Sequence, residues 1–166
     1  MGANRKSGWK ATLLQIGVLL VVFFAIQAWR ARELPDGPAP PLAGRLLTGG
    51  QFALADAEKP LLVHFWATWC PVCKLEEGSI DALARDYAVV SVALQSGTRD
   101  ELRAYVREKG LDFPVIEDVD GELARAWGVS GVPASLVIDR AGRIAFRELG
   151  YTSGIGLRIR LWLAGR

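Results

Sequence analysis

Two cysteines, one histidine and one methionine are all the soft-ligand side chains that the chain contains. With Met1 as the only methionine there is no thioether cluster of the kind that carries copper, and two cysteines cannot staple a disulfide-dense scaffold. Net charge is also nearly missing. Twenty Lys and Arg face eighteen Asp and Glu, so nothing suggests a phosphate-binding surface, and nucleic acid is not an expected partner. Neither an internal repeat nor a low-complexity tract follows residue 41. About half of the 166 residues, 51 %, are apolar. That suffices for one core of ordinary size once a membrane segment is set aside.

Both cysteines fall in one stretch. Leu61-Leu62-Val63-His64-Phe65-Trp66 is short and apolar, as a buried strand is, and a turn-like Ala67-Thr68 follows. Beyond it Leu75, Ile80, Leu83, Ala84 and Tyr87 recur at helical spacing. Cys70-Pro71-Val72-Cys73 therefore sits where a strand hands over to a helix. A thiol at a helix N-terminus faces unpaired backbone N–H groups and the positive end of the dipole, both of which favour thiolate. Cys70 is thus the expected nucleophile, and Cys73, one turn further in, the thiol that resolves its mixed disulfide. Pro71 suits a first turn, where its missing N–H has no helical partner. A bare Cys-x-x-Cys is equally compatible with half a zinc site or a structural disulfide. A purely structural bridge is disfavoured, because closing a two-residue loop contributes little entropy.

The stretch from Phe65 to Lys74 resembles the active-site motif of the thioredoxin superfamily. Its Trp-Ala-Thr-Trp-Cys form is similar to the membrane-anchored, periplasmic TlpA-like branch, including the ScsD type, and the resemblance covers residues 42–163. It implies an α/β thioredoxin-like fold with a central mixed sheet flanked by helices, a redox-active Cys70–Cys73 disulfide, and no cofactor or metal. By the same resemblance Pro133, in Gly131-Val132-Pro133, matches the family's cis-proline. That proline faces the cysteines, shapes a peptide groove through the backbone of Val132 and disfavours metal capture. On the residues alone Pro133 is a strand-entry proline. Trp69, Pro71 and Val72 are expected to line the groove, and Trp66 to lie in the core.

Two titratable residues near the pair keep alternatives open. His64 stands six positions before Cys70, where ordinary thioredoxins carry a buried aspartate that manages the proton of the second cysteine. It is either a core histidine with one hydrogen bond or a proton relay. Glu76 matches the acid of the TlpA-like Cys-x-x-Cys-x-x-Glu pattern. Partly buried, it would raise thiol pKa values by like charge and hold a proton for exchange. The alternative, a solvated helix-surface glutamate, is equally natural for Glu77. Gly78 replaces the proline that commonly kinks this helix in the superfamily.

Ahead of this domain, residues 11–29 are nearly all apolar and about as long as a membrane-spanning helix needs, roughly 20 residues. Arg5, Lys6 and Lys10 precede them; Arg30 and Arg32, partly offset by Glu33, follow, with Trp29 at the interface. The positive flank places residues 1–10 in the cytoplasm and the rest outside it. Cleavage after Ala28 or Ala31 lacks a small residue at the second required position, so an uncleaved anchor is expected. The Pro-rich residues 30–41 are expected to be a semi-rigid spacer, lifting the domain roughly 35 Å off the bilayer at about 3.1 Å per residue.

Within the domain, residues 42–166, the expectations run in order. Residues 45–48 and 51–54 form two short strands about Gly49-Gly50, residues 89–94 a strand parallel to residues 61–66, and Thr98 and Glu101 a capping box for a helix that stops at Gly110. A strand over 113–116, a short helix over 122–127 and a hairpin about residues 139–142 come next. Residues 155–163 alternate as a strand would, but the family ends in a helix and that is the expectation.

The expected function is thiol–disulfide exchange on exported proteins by a single-pass protein of the bacterial inner membrane. The expected direction is reduction, with electrons from a membrane donor of the DsbD kind; copper tolerance and cytochrome c maturation are contexts in which relatives work. The alternatives are oxidase or isomerase action by the same fold, or a copper or zinc carrier using Cys70 and Cys73 with His64 as a third ligand.

Overall fold

The computed structural model describes residues 6–31 and 34–166, with only part of the side chains in the first of these segments. Arg5, Arg32 and Glu33, and the side chains of Lys6, Lys10, Trp29 and Arg30, on which the topology expectation rests, lie outside the described residues. The first helix, α1 (Lys6–Ala31), covers the stretch expected to span a membrane. Among the described residues no helix is long and apolar enough to cross one.

After it come β1 (Gly37–Pro38), β2 (Ala43–Arg45), β3 (Gln51–Ala53), β4 (Leu61–Trp66), α2 (Pro71–Ala84), β5 (Ala88–Leu94), α3 (Arg99–Lys109), β6 (Val115–Asp118), α4 (Glu122–Ala126), β7 (Ala134–Ile138), β8 (Arg143–Leu149) and α5 (Gly154–Ala164). The main sheet has the order β1-β8-β7-β4-β5-β6, and β2 and β3 pair by themselves. β4, β5 and β6 run parallel, while β7 and β8 lie antiparallel to their neighbours. This is the thioredoxin-like α/β fold with a mixed central sheet.

Strand alternation sorts β4 onto two cores. Leu62 and Trp66 pack with Cys73, Ile80 and Leu83 of α2, Leu102 of α3 and Leu157 and Leu161 of α5. Leu61, Val63 and Phe65 face the other way, onto Leu42, Leu54, Ala124 and Trp127. Every residue of β4 is buried, which is why it reads as an apolar run broken only by His64. Removing a side chain such as Phe65 from water is worth about 2 to 3 kcal/mol.

Four segments differ from expectation. The first short strand is Ala43–Arg45, not residues 45–48, since these are the residues that pair with Gln51–Ala53. The spacer is not free beyond Glu33: Leu34 is buried, Gly37 and Pro38 pair with Ile144 and Arg143, and the indole N–H of Trp127 donates to Pro41 O at 3.2 Å. Pro38 can join the sheet because it is on the edge. The strand expected at 113–116 starts at Val115, since Pro114 has no N–H for the ladder; its carbonyl instead accepts from Ser91 N at 2.8 Å. The Lys59–Pro60 bond is cis, which nothing in the sequence signalled.

The capping box at Thr98 and Glu101 and the left-handed stop at Gly110 are both present. Residues 155–163 are helical within α5. α2 continues through Gly78.

Candidate active site

Cys70 caps α2 from an extended backbone, and its Sγ accepts from the Cys73 N–H at 3.2 Å. The two are joined as a disulfide with Cα atoms 5.3 Å apart. Cys70 is 4 % exposed and Cys73 fully buried, so only the first can meet another protein's sulfur. Cys70 Sγ lies 3.7 Å from Val132 O, and the Val132–Pro133 bond is cis. That brings the start of β7 against the redox pair. Around the pair Trp69 is 57 % exposed and Val72 38 % exposed, with Pro71 exposed and Val132 partly so. Together they form an apolar rim. Trp66 lies in the core, its indole donating to Ser91 Oγ at 3.1 Å.

His64 shares the sheet face of Leu62 and Trp66 by alternation. It is 2 % exposed, and its Nδ1 lies 2.9 Å from Ser135 Oγ on the adjacent β7. Burial lowers its pKa to about 4, so the imidazole is neutral near pH 7. The described residues hold no group of three His, Cys, Asp or Glu side chains placed to bind a metal, so His64 is not gathered with the cysteines as a third ligand.

Glu76 lies one turn beyond Cys73 and is only 1 % exposed. Its Oε1 accepts from the Thr152 N–H, where the chain passes from β8 to α5, and its buried Oε2 has no hydrogen-bond partner. Burial raises its pKa to about 7, against the lowering effect of the Thr152 N–H. A solvated surface glutamate is therefore excluded for Glu76. Glu77 is also largely buried, accepting from Tyr105 OH at 2.5 Å. Thr152, Ser135 and Gln95, whose carbonyl accepts from Trp69 Nε1 at 3.1 Å, were missed in the sequence. They act from far along the chain and no local pattern marks them. A cavity of about 660 Å³, lined by Lys59, Pro60, Tyr87 and Trp162 among others, lies at the start of β4, away from the cysteines.

The AhpC/TSA family model matches residues 35–147. A thioredoxin-like protein of Haemophilus influenzae is 36 % identical over 121 residues, 71 % of this chain and 72 % of that one. The thiol:disulfide interchange protein DsbE of Escherichia coli K12 is 29 % identical over 86 % of each chain. Among solved structures, a putative thiol:disulfide interchange protein DsbE from Chlorobium tepidum superposes with a TM-score of 0.70 at 26 % identity, over 79 % of this chain and 98 % of that one.

Proposed function

The chain belongs to the AhpC/TSA family and is a thioredoxin-like protein-disulfide oxidoreductase, and from that premise we propose that it reduces disulfides of exported proteins through Cys70 and Cys73, with Glu76 as the proton carrier. The observation that carries this reading is the Cys70–Cys73 disulfide at the N-terminus of α2, with the buried carboxyl of Glu76, one oxygen unpartnered, one turn beyond it.

In the dithiol state Cys70 attacks a substrate disulfide, forming a mixed disulfide and releasing the first substrate sulfur, which takes up a proton. Glu76 carboxylate accepts the proton of Cys73. The Cys73 thiolate then attacks Cys70 Sγ, the substrate's second sulfur leaves as a thiol with the proton that Glu76 gives back, and the Cys70–Cys73 disulfide forms. Two electrons and two protons pass to the substrate. The Val132 carbonyl and the rim of Trp69, Pro71 and Val72 hold the substrate chain.

The direction follows from charge. Ionised Glu76 disfavours a second negative charge on the pair, and a less stabilised thiolate makes a stronger electron donor. A protonated His64 would oppose this, but burial keeps it neutral near pH 7. The electron source fits a membrane donor of the DsbD kind, and residues 11–29 are read as a single-pass anchor that puts the domain in the periplasm. The exposure of Leu14, Leu19 and Val21 on α1 supports that reading.

Reduced protein is expected to reduce insulin, and Cys73→Ser to accumulate mixed disulfides with exported proteins in intact cells. Tight stoichiometric copper or zinc binding without exchange would instead establish the carrier. A periplasm-dependent reporter fused after Pro41 is expected to be active; activity of a cytoplasmic reporter there would reverse the topology.

A further inference from the structure

Gln95 is the one non-glycine residue with positive φ among the described residues, at +45°. Such a conformation is disfavoured for a side chain of this size and persists only where its surroundings impose it. It stands where β5 ends, beside the turn from β4 into the redox pair. Its N–H donates to Asp118 O at 2.9 Å, and its carbonyl accepts the indole N–H of Trp69 at 3.1 Å. The next residue repeats the contact one position earlier: Ser96 Oγ accepts from Thr68 N at 3.1 Å and donates to Leu94 O at 3.0 Å. The two residues just before Cys70 are thus tied, in reverse order, to two consecutive residues of a distant loop. Trp69 remains 57 % exposed, and an exposed ring with no such tie would sample several rotamers.

We infer that Gln95 is a positioning residue: its left-handed turn aims a backbone carbonyl that fixes the Trp69 ring beside Cys70. The ring then stands as a preformed wall favouring substrates whose exchanging cysteine is flanked by apolar side chains. A small disulfide, too short to reach the wall, gains nothing from it. This rests on the reading of Cys70 and Cys73 as an exchange site with Trp69 on its rim. What matters at position 95 is the backbone, so any residue tolerating positive φ should serve, while a β-branched one, for which that region is strained, should turn the carbonyl away.

The test uses the full reduced chain in detergent and compares its rate on insulin with its rate on 5,5′-dithiobis(2-nitrobenzoate). Trp69→Ala is expected to lower the insulin-to-small-disulfide ratio by about three- to tenfold, the scale of one aromatic contact. Gln95→Val is expected to lower it in the same way, and Gln95→Asn and Gln95→Gly to keep the ratio of the native chain. Gln95→Val added to Trp69→Ala should lower it no further, and Gln95→Val should increase acrylamide quenching of the indole. If the native chain reduces neither substrate, the exchange reading fails; if Trp69→Ala leaves the ratio unchanged, the rim reading fails. Should Trp69→Ala lower the ratio while Gln95→Val does not, or Gln95→Gly lower it as much as Gln95→Val, the role of Gln95 is overturned. Should Gln95→Val not fold, Gln95→Gly and Gln95→Asn still decide the matter, since a side-chain role requires both to fail.

Discussion

The strand side and the helix side of the redox pair each hold one titratable group that burial shifts strongly, and the two shifts run in opposite directions. On β4, His64 is lowered to about 4 and sits neutral beside Ser135. On α2, Glu76 is raised to about 7 with one oxygen unpartnered. Desolvation disfavours the charged form in both cases. For the base this removes its charge from the working range; for the acid it brings the titration into that range. The side chain that is a pH switch in water is thus neutral here, and the acid is the one whose titration falls where the proposed proton transfer needs it.

The largest expected effect comes from breaking the helix side. Glu76→Gln should slow insulin reduction at pH 7 by about a hundredfold, the lower end of general acid–base catalysis, and remove an inflection near pH 7 from the rate profile. An unchanged profile in steady-state assays would return Glu76 to a structural role.

Next in size is stability against pH, where the two sides oppose each other. The folded state holds a proton on Glu76 that the unfolded chain loses above about 4.5, so this residue's contribution falls as pH rises to about 7 and is flat beyond. For His64 the unfolded chain takes up a proton below about 6.5 that the folded state refuses until about 4, so its contribution falls as pH drops through that window. The native chain should show partial cancellation. Urea midpoints of Glu76→Gln should rise with pH between 4.5 and 6.5, and those of His64→Leu should fall; equal slopes in both variants would contradict the assignment.

On activity His64→Leu should be mild, within about threefold at pH 7, because a neutral imidazole contributes one hydrogen bond to Ser135 and little charge. Loss of the inflection near pH 7 in this variant would reverse the comparison. Smallest is a control that touches neither titratable group. Thr98→Ala removes the cap of α3 and should cost about 1 kcal/mol in denaturant unfolding with no change in the pH profile.

The parts of this arrangement that were legible in the sequence are local. A buried strand, a Cys-Pro-Val-Cys and a helical repeat follow one another within the chain, and the capping box and the turn at residues 139–142 carry their own side-chain signals. The partners that set the two titrations do not: Ser135 is 71 residues from His64, and Thr152 is 76 residues from Glu76. Burial of Glu76 depends on α5 and the loop before it, and α5 was itself ambiguous. Its inward Leu157 and Leu161 alternate with outward Ile155 and Ile159, which are 76 % and 53 % exposed, so apolar residues on both faces mimic a strand's period of two. Proline density in residues 34–41 hid an edge pairing, because Pro38 lies where its missing N–H faces no neighbour.

The most direct test is the pH dependence of insulin reduction, measured from pH 5 to 9 in the native chain, in Glu76→Gln and in His64→Leu. An inflection near pH 7 that is present in the native chain and in His64→Leu but absent in Glu76→Gln is the expected result. An inflection that disappears with His64 and survives in Glu76→Gln would contradict it.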